Sequence, residues 1–233
     1  MRRFWDRRAV ENPYYFVDNR LDYRSPDLDR FWADGEPTLE TLLGDVDIAI
    51  RPSDTVVEIG CGVGRLTRAI AARAAKVVAV DVSERMLMLA REHNPDLSNV
   101  SWLLGDGASL AGVEDRSADG CVSHVVFQHI PDPEITMSYV REMGRALRPG
   151  GWAAFQVSND PRIHRPRALL RQRILRLAGL GPAGQTHPAW RGSAVDLAAL
   201  ERAARDGGME LERVRGEGTQ WCEVLLRKPG RAP

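Results

Sequence analysis

A glycine-rich loop constrains this sequence more than any other feature. Residues 55–64 read TVVEIGCGVG, so a β-branched run leads into three glycines at alternate positions, Gly60, Gly62 and Gly64. Glycine lets the backbone approach a ligand closely, because it reaches dihedral angles that other residues avoid. A helical pattern follows from Arg65 to Ala75. A strand, a glycine loop and a helix in this order predict a nucleotide-binding turn of an α/β domain.

Two acidic residues narrow the choice of ligand. Asp81 ends the second β-branched run, where its carboxylate can accept two hydrogen bonds from the hydroxyls of a ribose. Glu58 precedes the loop, where it would repel a pyrophosphate but would suit a ligand with a sulfonium and an ammonium group. The loop lacks both the G-x-G-x-x-G spacing of NAD sites and the lysine of a P-loop.

The rest of the chain repeats the rhythm of strand and helix, which indicates parallel strands joined by crossovers. Further helices are predicted from Ser83 and over 135–147 and 195–206. The pattern predicts an α/β fold whose seven-stranded, mostly parallel sheet carries helices on both faces and has its last strand antiparallel. The strands are predicted at 55–59, 76–80, 100–104, 120–127, 152–157, 210–215 and 220–227.

Two flanks differ from this core. Residues 1–50 are rich in aromatic, aspartate and arginine residues, and we predict a helical lid or cap segment there. Residues 51–233 form the predicted core domain, with 159–193 as a cap-like insertion. The arginine-rich stretch 166–180 is typical of an amphipathic helix with a solvated basic face. The alternative is a docking site for an acidic substrate or carrier protein.

Composition excludes several classes of protein. Its 32 basic and 32 acidic residues balance, which argues against a nucleic-acid binder. No apolar run approaches the roughly 18–20 residues of a membrane span, and no secretory signal is evident, so we expect a cytoplasmic protein without a membrane anchor. Three widely spaced cysteines have no zinc-site spacing, and no metal is predicted. The preference for arginine over lysine suggests a GC-rich bacterial genome.

These motifs together resemble the class I S-adenosylmethionine-dependent methyltransferases of the small-molecule type. Residues 58–64 match the family's E/D-x-G-x-G-x-G motif, Asp81 its acid after the second strand, and Asp106 its acid after the third. The resemblance covers about residues 50–158. It implies a Rossmann-like fold, S-adenosylmethionine as cofactor and S-adenosylhomocysteine as product. It also implies methyl transfer to an O, N or C atom of a small-molecule acceptor, which includes secondary metabolites.

The resemblance also assigns roles to residues. The glycine loop would line the methionine and ribose parts of the cofactor, Asp81 would bind the ribose, and the turn after the third strand would meet the adenine. The residues implied in cofactor binding are Glu58, Gly60, Cys61, Gly62, Gly64, Asp81, Val82, Met86, Gly105, Asp106, Gly107, Ser123 and His124.

The acceptor side rests on weaker patterns. His124 and His129 are candidate general bases, because histidine accepts protons near neutral pH; each also has a structural interpretation, as a wall or an anchor of the loop. Aromatic clusters around Trp5 and Phe16 are candidate lids over the cofactor. The candidates for the acceptor pocket are Tyr15, Gln128, His187, Trp190 and Trp221.

Two other functions stay open at this point. One is a catalytically idle module that binds S-adenosylmethionine and regulates a partner. The other is an NAD-dependent oxidoreductase, against which the loop spacing and Glu58 argue. A carrier-protein partner and a homodimer are also left open.

Overall fold

The computed structural model of the chain describes residues 1–165, 184 and 187–230. Four helices precede the sheet: α1 (Arg2–Glu11), α2 (Pro13–Val17), α3 (Leu28–Ala33) and α4 (Gly35–Val46). The strands are β1 (Thr55–Ile59), β2 (Lys76–Asp81), β3 (Val100–Leu104), β4 (Ala118–Ser123), β5 (Leu147–Val157), β6 (Glu210–Arg215) and β7 (Cys222–Arg227). The later helices are α5 (Arg65–Ala71), α6 (Glu84–His93), α7 (Pro133–Ala146), α8 (Pro188–Arg191) and α9 (Leu197–Asp206).

The seven strands form one sheet in the order β3-β2-β1-β4-β5-β7-β6. Strands β1 to β5 pair in parallel, whereas β7 runs antiparallel to both β5 and β6. The predicted fold class is therefore confirmed, including the antiparallel last strand. The chain's order along the sheet reverses between β1 and β4, and such a switch point opens a crevice at the carboxyl ends of these strands.

Each face of the sheet is covered by helices. Alternate residues of a strand point to opposite faces, so Val57 packs in one apolar cluster and Val56 in the other. The first cluster contains residues of α7 and α9, such as Met143 and Leu200. The second contains residues of α4 and α5, such as Leu42. This two-sided burial explains why the strands read as nearly continuous apolar runs.

The fourth strand ends earlier than its apolar sequence suggests. We expected it to run to Phe127, but it stops at Ser123. The reason is local: Val125 has φ 56°, a left-handed angle that a β-branched residue rarely adopts, and a 3-10 turn follows at Phe127–His129. The apolar side chains after Ser123 therefore line a cavity or fill the core instead of extending the sheet.

Other boundaries differ by smaller amounts. The helix predicted to reach Ala75 ends at Ala71. The backbone amides of Ala75 and Lys76 instead donate to the carbonyl of Asp54, just before β1, and the chain enters β2 at Lys76. Strand β5 begins at Leu147 instead of 152, with an irregular register against β4 that absorbs the extra residues. Strand β7 begins at Cys222 instead of 220.

The three cysteines are buried free thiols. No helix within the described ranges is long and apolar enough to cross a membrane. The arginine-rich stretch at 166–180 lies outside the described residues.

Candidate active site

A cavity of about 1020 Å³, counted with its open mouth, lies at the carboxyl ends of β1 and β4. The glycine loop forms its floor, and the amino-terminal helices close one side. Its lining includes Met1, Trp5, Phe16, Val17, Glu58, Gly60, Cys61, Gly62, Arg65, Asp81, Val82, Met86, Gly107, His124, Val125, Val126, His129, Ile130 and Tyr139.

The glycine loop has the shape that the motif predicts. All three glycines have positive φ angles, 78° at Gly60, 54° at Gly62 and 91° at Gly64. A Cβ atom at Gly60 would lie 2.3 Å from a methyl carbon of Val126, and one at Gly62 would lie 2.9 Å from a methyl carbon of Val17. The loop is therefore a cradle between two walls, which any side chain larger than hydrogen would disturb.

Asp81 joins the loop to the end of β2. Its carboxylate accepts hydrogen bonds from the amide of Gly62 at 2.9 Å and from the amide of Ser83 at 2.8 Å. Burial raises its pKa to about 6, against the lowering effect of those amides. Each carboxylate oxygen keeps a lone pair for a ligand, so a hydroxyl donor in the cavity can complete this site.

Glu58 is a second acid in the lining. It is buried, and its carboxylate accepts a hydrogen bond of 2.5 Å from the Thr67 hydroxyl. Burial raises its pKa to about 7, and the charge of Asp81 adds to the effect. Two carboxylates with raised pKa values in one cavity favour a cationic ligand, because a positive charge stabilises their ionised forms.

Helix α1 is tied across the adenine side predicted for the cofactor. The Arg2 guanidinium donates to the carbonyls of Val82 and Gly105, at 3.2 and 2.9 Å. The Ser83 hydroxyl donates to Asp6 at 2.7 Å. These bonds hold the amino-terminal helix against the turns that follow β2 and β3, and they bring Met1 into the cavity wall.

The turn after β3 differs from the family's expectation at two residues, Gly105 and Asp106. Gly107 lines the cavity, whereas the carboxylate of Asp106 is exposed and turned back on its own loop. It accepts from the amides of Ala108 and Ser109 and from the Ser109 hydroxyl at 2.6 Å. The side chain of Asp106 therefore shapes the turn and, in this arrangement, does not face the adenine position. Gly105 lies beside it, outside the lining.

Comparisons with known proteins agree with this geometry. The family described as "Methyltransferase domain" matches residues 57–155. A ubiquinone biosynthesis O-methyltransferase of Hydrogenovibrio crunogenus is 27% identical over 175 residues, which is 74% of this chain and 68% of that protein. The Thiobacillus denitrificans protein of the same name is 30% identical over 163 residues, 69% of this chain and 66% of that one. The chain belongs to the class I S-adenosylmethionine-dependent methyltransferases.

Solved structures show the same fold. Phosphoethanolamine N-methyltransferase 1 of Haemonchus contortus, in complex with phosphoethanolamine and S-adenosylhomocysteine, superposes with a TM-score of 0.67 at 18% identity. The match covers 98% of this chain and 48% of that one. An S-adenosylmethionine-dependent methyltransferase of Mesorhizobium loti gives 0.59 at 19% identity, covering 82% and 96%. The oxidoreductase and idle-module alternatives are not favoured.

The predicted acceptor end of the cavity contains His124. Its ring stacks near Trp221 at 6.5 Å between centroids, and its Nδ1 atom is buried without a hydrogen-bond partner among the described residues. Burial lowers the pKa of His124 to about 4, so the ring is neutral near pH 7. Ser123, predicted beside it, lies outside the lining, because its hydroxyl donates to the Ile59 carbonyl and joins β4 to β1.

His129 is held more tightly. Its Nδ1 bonds the Trp190 carbonyl at 2.7 Å, so Nδ1 carries the proton, and Nε2 faces the Gln128 amide at 3.3 Å. Burial lowers the pKa of His129 to about 4. Its ring lines the cavity against Trp5, with centroids 5.5 Å apart. Both ring nitrogens are thus engaged, and the residue anchors α8 to the acceptor wall.

The predicted acceptor-pocket residues support that wall instead of lining it. Trp190 packs on His129 and Phe16 from outside, with ring centroids 5.2 and 5.4 Å away. Gln128 is buried. Its side-chain carbonyl accepts hydrogen bonds from the side-chain amides of Gln156 and Gln220, at 3.1 and 3.2 Å. The acceptor-pocket role of Gln128 and Trp190 stays a prediction, and in this structure the side-chain carbonyl of Gln128 is already paired.

Three more candidates stand farther from the cavity. Tyr15 packs against Phe16 and Tyr23. His187 is exposed, stacks on Phe4 and caps α8. Trp221 is 53% exposed. None of the three belongs to the lining.

Sequence reasoning missed two features of the acceptor wall. Gln156 is fully buried near the end of β5, and its side-chain carbonyl accepts a hydrogen bond from the backbone amide of Val125 at 3.1 Å, which holds Val125 in its left-handed conformation. A glutamine inside an otherwise apolar strand was the signal for it. Arg65, directly after Gly64, is also buried and lines the cavity.

Among the described residues, no group of three His, Cys, Asp or Glu side chains is placed to hold a metal ion. Metal independence stays a prediction.

Proposed function

We propose that this methyltransferase acts on a hydroxyl oxygen of a small, uncharged and largely apolar acceptor. The observation that carries the proposal is the continuity of one cavity. It runs from the glycine loop and Asp81 to a wall of aromatic and apolar side chains: Trp5, Phe16, His124, His129 and Ile130. Cofactor and acceptor would therefore share one space, in which proximity and alignment supply much of the rate enhancement.

The cofactor end fits S-adenosylmethionine. Gly60 and Gly62 line the open part of the cavity, so their backbone can approach a ligand closely. Glu58 and Asp81 would hold its cationic and ribose parts, while Val82 and Met86 would border the adenine. The bound cofactor supplies an activated methyl group. Hydrogen bonds from Arg2 to the Val82 carbonyl and from the Ser83 hydroxyl to Asp6 keep α1 over this end of the cavity. This position of α1 limits the access of water.

The chemistry of the acceptor wall supports an uncharged acceptor. The five side chains named above as the wall include no lysine, arginine or acid, and both histidines are neutral at pH 7 because burial lowers their pKa values. A charged acceptor would lose its hydration there without gaining a partner. The relatives from Hydrogenovibrio and Thiobacillus are O-methyltransferases by name, which supports oxygen as the accepting atom.

The acceptor's proton would pass to His124. Its Nδ1 atom lacks a partner among the described residues, whereas the nitrogens of His129 are engaged. With a pKa of about 4, His124 is a weak base, and it would act late, as the oxygen loses basicity on gaining the methyl group. His129 would position the wall without taking the proton.

An acceptor screen tests this function. Purified protein with S-adenosylmethionine is offered matched pairs of small aromatic compounds that carry either a hydroxyl or an amine, and S-adenosylhomocysteine is measured by mass spectrometry. We expect turnover with hydroxyl acceptors and little with their charged amine or carboxylate analogues. Faster turnover of the amine members would show that the accepting atom is nitrogen and would overturn the proposal.

A carrier-protein partner, a homodimer and a cytoplasmic location are also proposed. A carrier protein would dock on the arginine-rich stretch at 166–180, and added salt should then weaken the binding of a carrier-linked acceptor. A homodimer is tested by light scattering of the purified protein. A cytoplasmic location is tested by cell fractionation.

A further inference from the structure

The cavity holds a charge pattern that its acids alone do not explain. Arg65 is the only lysine or arginine side chain in the described lining, and it stands among two acids, Glu58 and Asp81. The cofactor's methionine half carries a cationic ammonium and an anionic carboxylate on one carbon. Glu58 and Asp81 suit the positive charges of the cofactor, which leaves its carboxylate in need of a cationic partner.

The Arg65 side chain is only 6% exposed and is incompletely paired. Its Nη1 donates to the Thr38 hydroxyl at 3.3 Å and lies 3.7 Å from an oxygen of Asp18. Its Nε atom is buried without a hydrogen-bond partner among the described residues. A buried guanidinium with an unused N–H donor is costly, and an anionic ligand group would reduce that cost.

Asp18 does not satisfy this charge, because another arginine holds it more closely. Arg20 donates to both oxygens of Asp18, from Nε at 2.8 Å and from Nη2 at 2.6 Å. Arg65 therefore makes only the longer contact, 3.7 Å, with the Asp18 carboxylate. The guanidinium of Arg65 also lies 5.6 Å from the centroid of the Phe31 ring. This cation–π contact stabilises the guanidinium but gives it no anionic partner.

The position of Arg65 in the chain points to the cofactor. It follows Gly64 directly and begins α5, so the glycine loop holds it beside the predicted methionine site. Arg65 and Glu58 line the same cavity, and the positive charge of Arg65 acts on the carboxyl group of Glu58 as well as on His124. The ammonium and carboxylate of an α-amino acid share one carbon, so their two partners must be near neighbours, as Glu58 and Arg65 are.

We propose that Arg65 binds the α-carboxylate of the cofactor's methionine half, while Glu58 binds the adjacent ammonium. The proposal rests on the proposed function, since it assumes that the cavity takes S-adenosylmethionine. It assigns to Arg65 a bidentate or single charge-assisted hydrogen bond through its unused donor. Discrimination against nucleosides that lack the amino-acid group would follow from this contact.

Calorimetry with two ligands tests the proposal. Wild type and R65Q are titrated with S-adenosylhomocysteine and with its decarboxylated analogue, S-adenosyl-3-thiopropylamine, which keeps the ammonium and loses only the carboxylate. We expect wild type to prefer S-adenosylhomocysteine by at least tenfold, which is about 1.4 kcal/mol. We expect R65Q to lose that preference, with the affinity for the analogue unchanged within threefold.

R141Q is the matched control, because Arg141 pairs with Asp206 from a 45% exposed position outside the cavity lining. It should keep the preference for the carboxylate. R65K, which keeps the charge, guards against a folding defect and should retain part of the preference.

An equal loss of both ligands in R65Q, or no loss of either, would overturn the role of Arg65. If wild type bound neither ligand, the proposed function itself would fail, so the two failures are distinguishable.

Discussion

The two ends of the cavity are built in different ways. The proposed cofactor end comes from three successive strand ends, within residues 58–107, where backbone shape and the two acids Glu58 and Asp81 make the site. The proposed acceptor end is assembled from α1, α2 and the segment after β4, which are far apart in the chain. It depends on side-chain packing, such as Trp5 against His129 and Phe16 against Trp190.

The contrast explains why one end follows a motif and the other does not. A turn between a strand and a helix needs specific residues at fixed positions, because glycine angles and backbone amides have few substitutes. A wall of packed rings can be made by many residues from many positions. The cofactor end should therefore fail sharply when one atom is added, and the acceptor end should fail gradually.

The largest effect on folding stability and cofactor affinity is expected from G60A. The added methyl group would lie 2.3 Å from a carbon of Val126, at a φ of 78° that alanine disfavours. We expect a loss of about 2–4 kcal/mol in the free energy of unfolding and at least a 30-fold loss of S-adenosylhomocysteine affinity, by denaturant melts and calorimetry. G44A is the control: it has open space within α4 and should gain about 0.5–1 kcal/mol. A tolerated G60A would contradict the cradle.

The second comparison sets Asp81 against Asp106. Asp81 lines the cavity with room for ligand hydroxyls, whereas the oxygens of Asp106 are engaged within its own turn. D81N should lower the affinity for S-adenosylhomocysteine at least tenfold, about 1.4 kcal/mol. D106N should lower this affinity less than about threefold, because the substitution weakens hydrogen bonds within the turn and removes no contact with the ligand. A larger effect at Asp106 would mean that its carboxylate turns inward on binding.

The third comparison separates the two histidines. H124A should lower kcat by about 100-fold if the ring takes the proton, while the Kd of S-adenosylhomocysteine stays within twofold. H129A should act mainly on stability, with a loss of about 1–3 kcal/mol, because it leaves the Trp190 carbonyl and the Gln128 amide without a partner. Unchanged turnover in the H124A H129A double variant would remove both from catalysis.

The smallest effect is a pH dependence at the cofactor end. Burial raises the pKa of Glu58 to about 7 and that of Asp81 to about 6, above their ordinary 4.5 and 3.8. Since the folded values exceed the unfolded ones, the stability due to these acids is complete below about pH 4 and is lost as pH rises through about 6–7. The ligand-free melting temperature should therefore fall over that range, and less so in E58Q.

A cationic ligand reverses this trend. S-adenosylmethionine has one more positive charge than S-adenosylhomocysteine and favours the ionised acids. The ratio of their affinities should therefore increase towards S-adenosylmethionine between about pH 5.5 and 8. A ratio independent of pH would show that neither Glu58 nor Asp81 senses the sulfonium charge.

Much of the fold was predictable from the sequence. Strands β1, β3 and β6 have the predicted bounds, and the Ser83 hydroxyl caps α6 by accepting from the amide of Met86. These features depend on local periodicity and capping, which single stretches of sequence encode. At the site, the predicted Gly60, Gly62 and Asp81 meet in one cavity for the same reason.

What escaped prediction depends on distant contacts. Nothing near Val125 in sequence shows that Gln156 holds it in a left-handed conformation. Arg65 reads as an ordinary helix residue until Asp18 and Phe31 bury it. The hydrogen bonds of Gln128 could not be predicted, because its partners, Gln156 and Gln220, come from other strands and loops.

The central claim is that this cavity binds S-adenosylmethionine and not a dinucleotide. Calorimetric titration of the wild-type protein with S-adenosylhomocysteine and, in parallel, with NAD tests it most directly. The account predicts micromolar affinity for S-adenosylhomocysteine, about −8 kcal/mol, and binding of NAD at least 100-fold weaker. Equal or tighter binding of NAD, or no binding of S-adenosylhomocysteine, would contradict it.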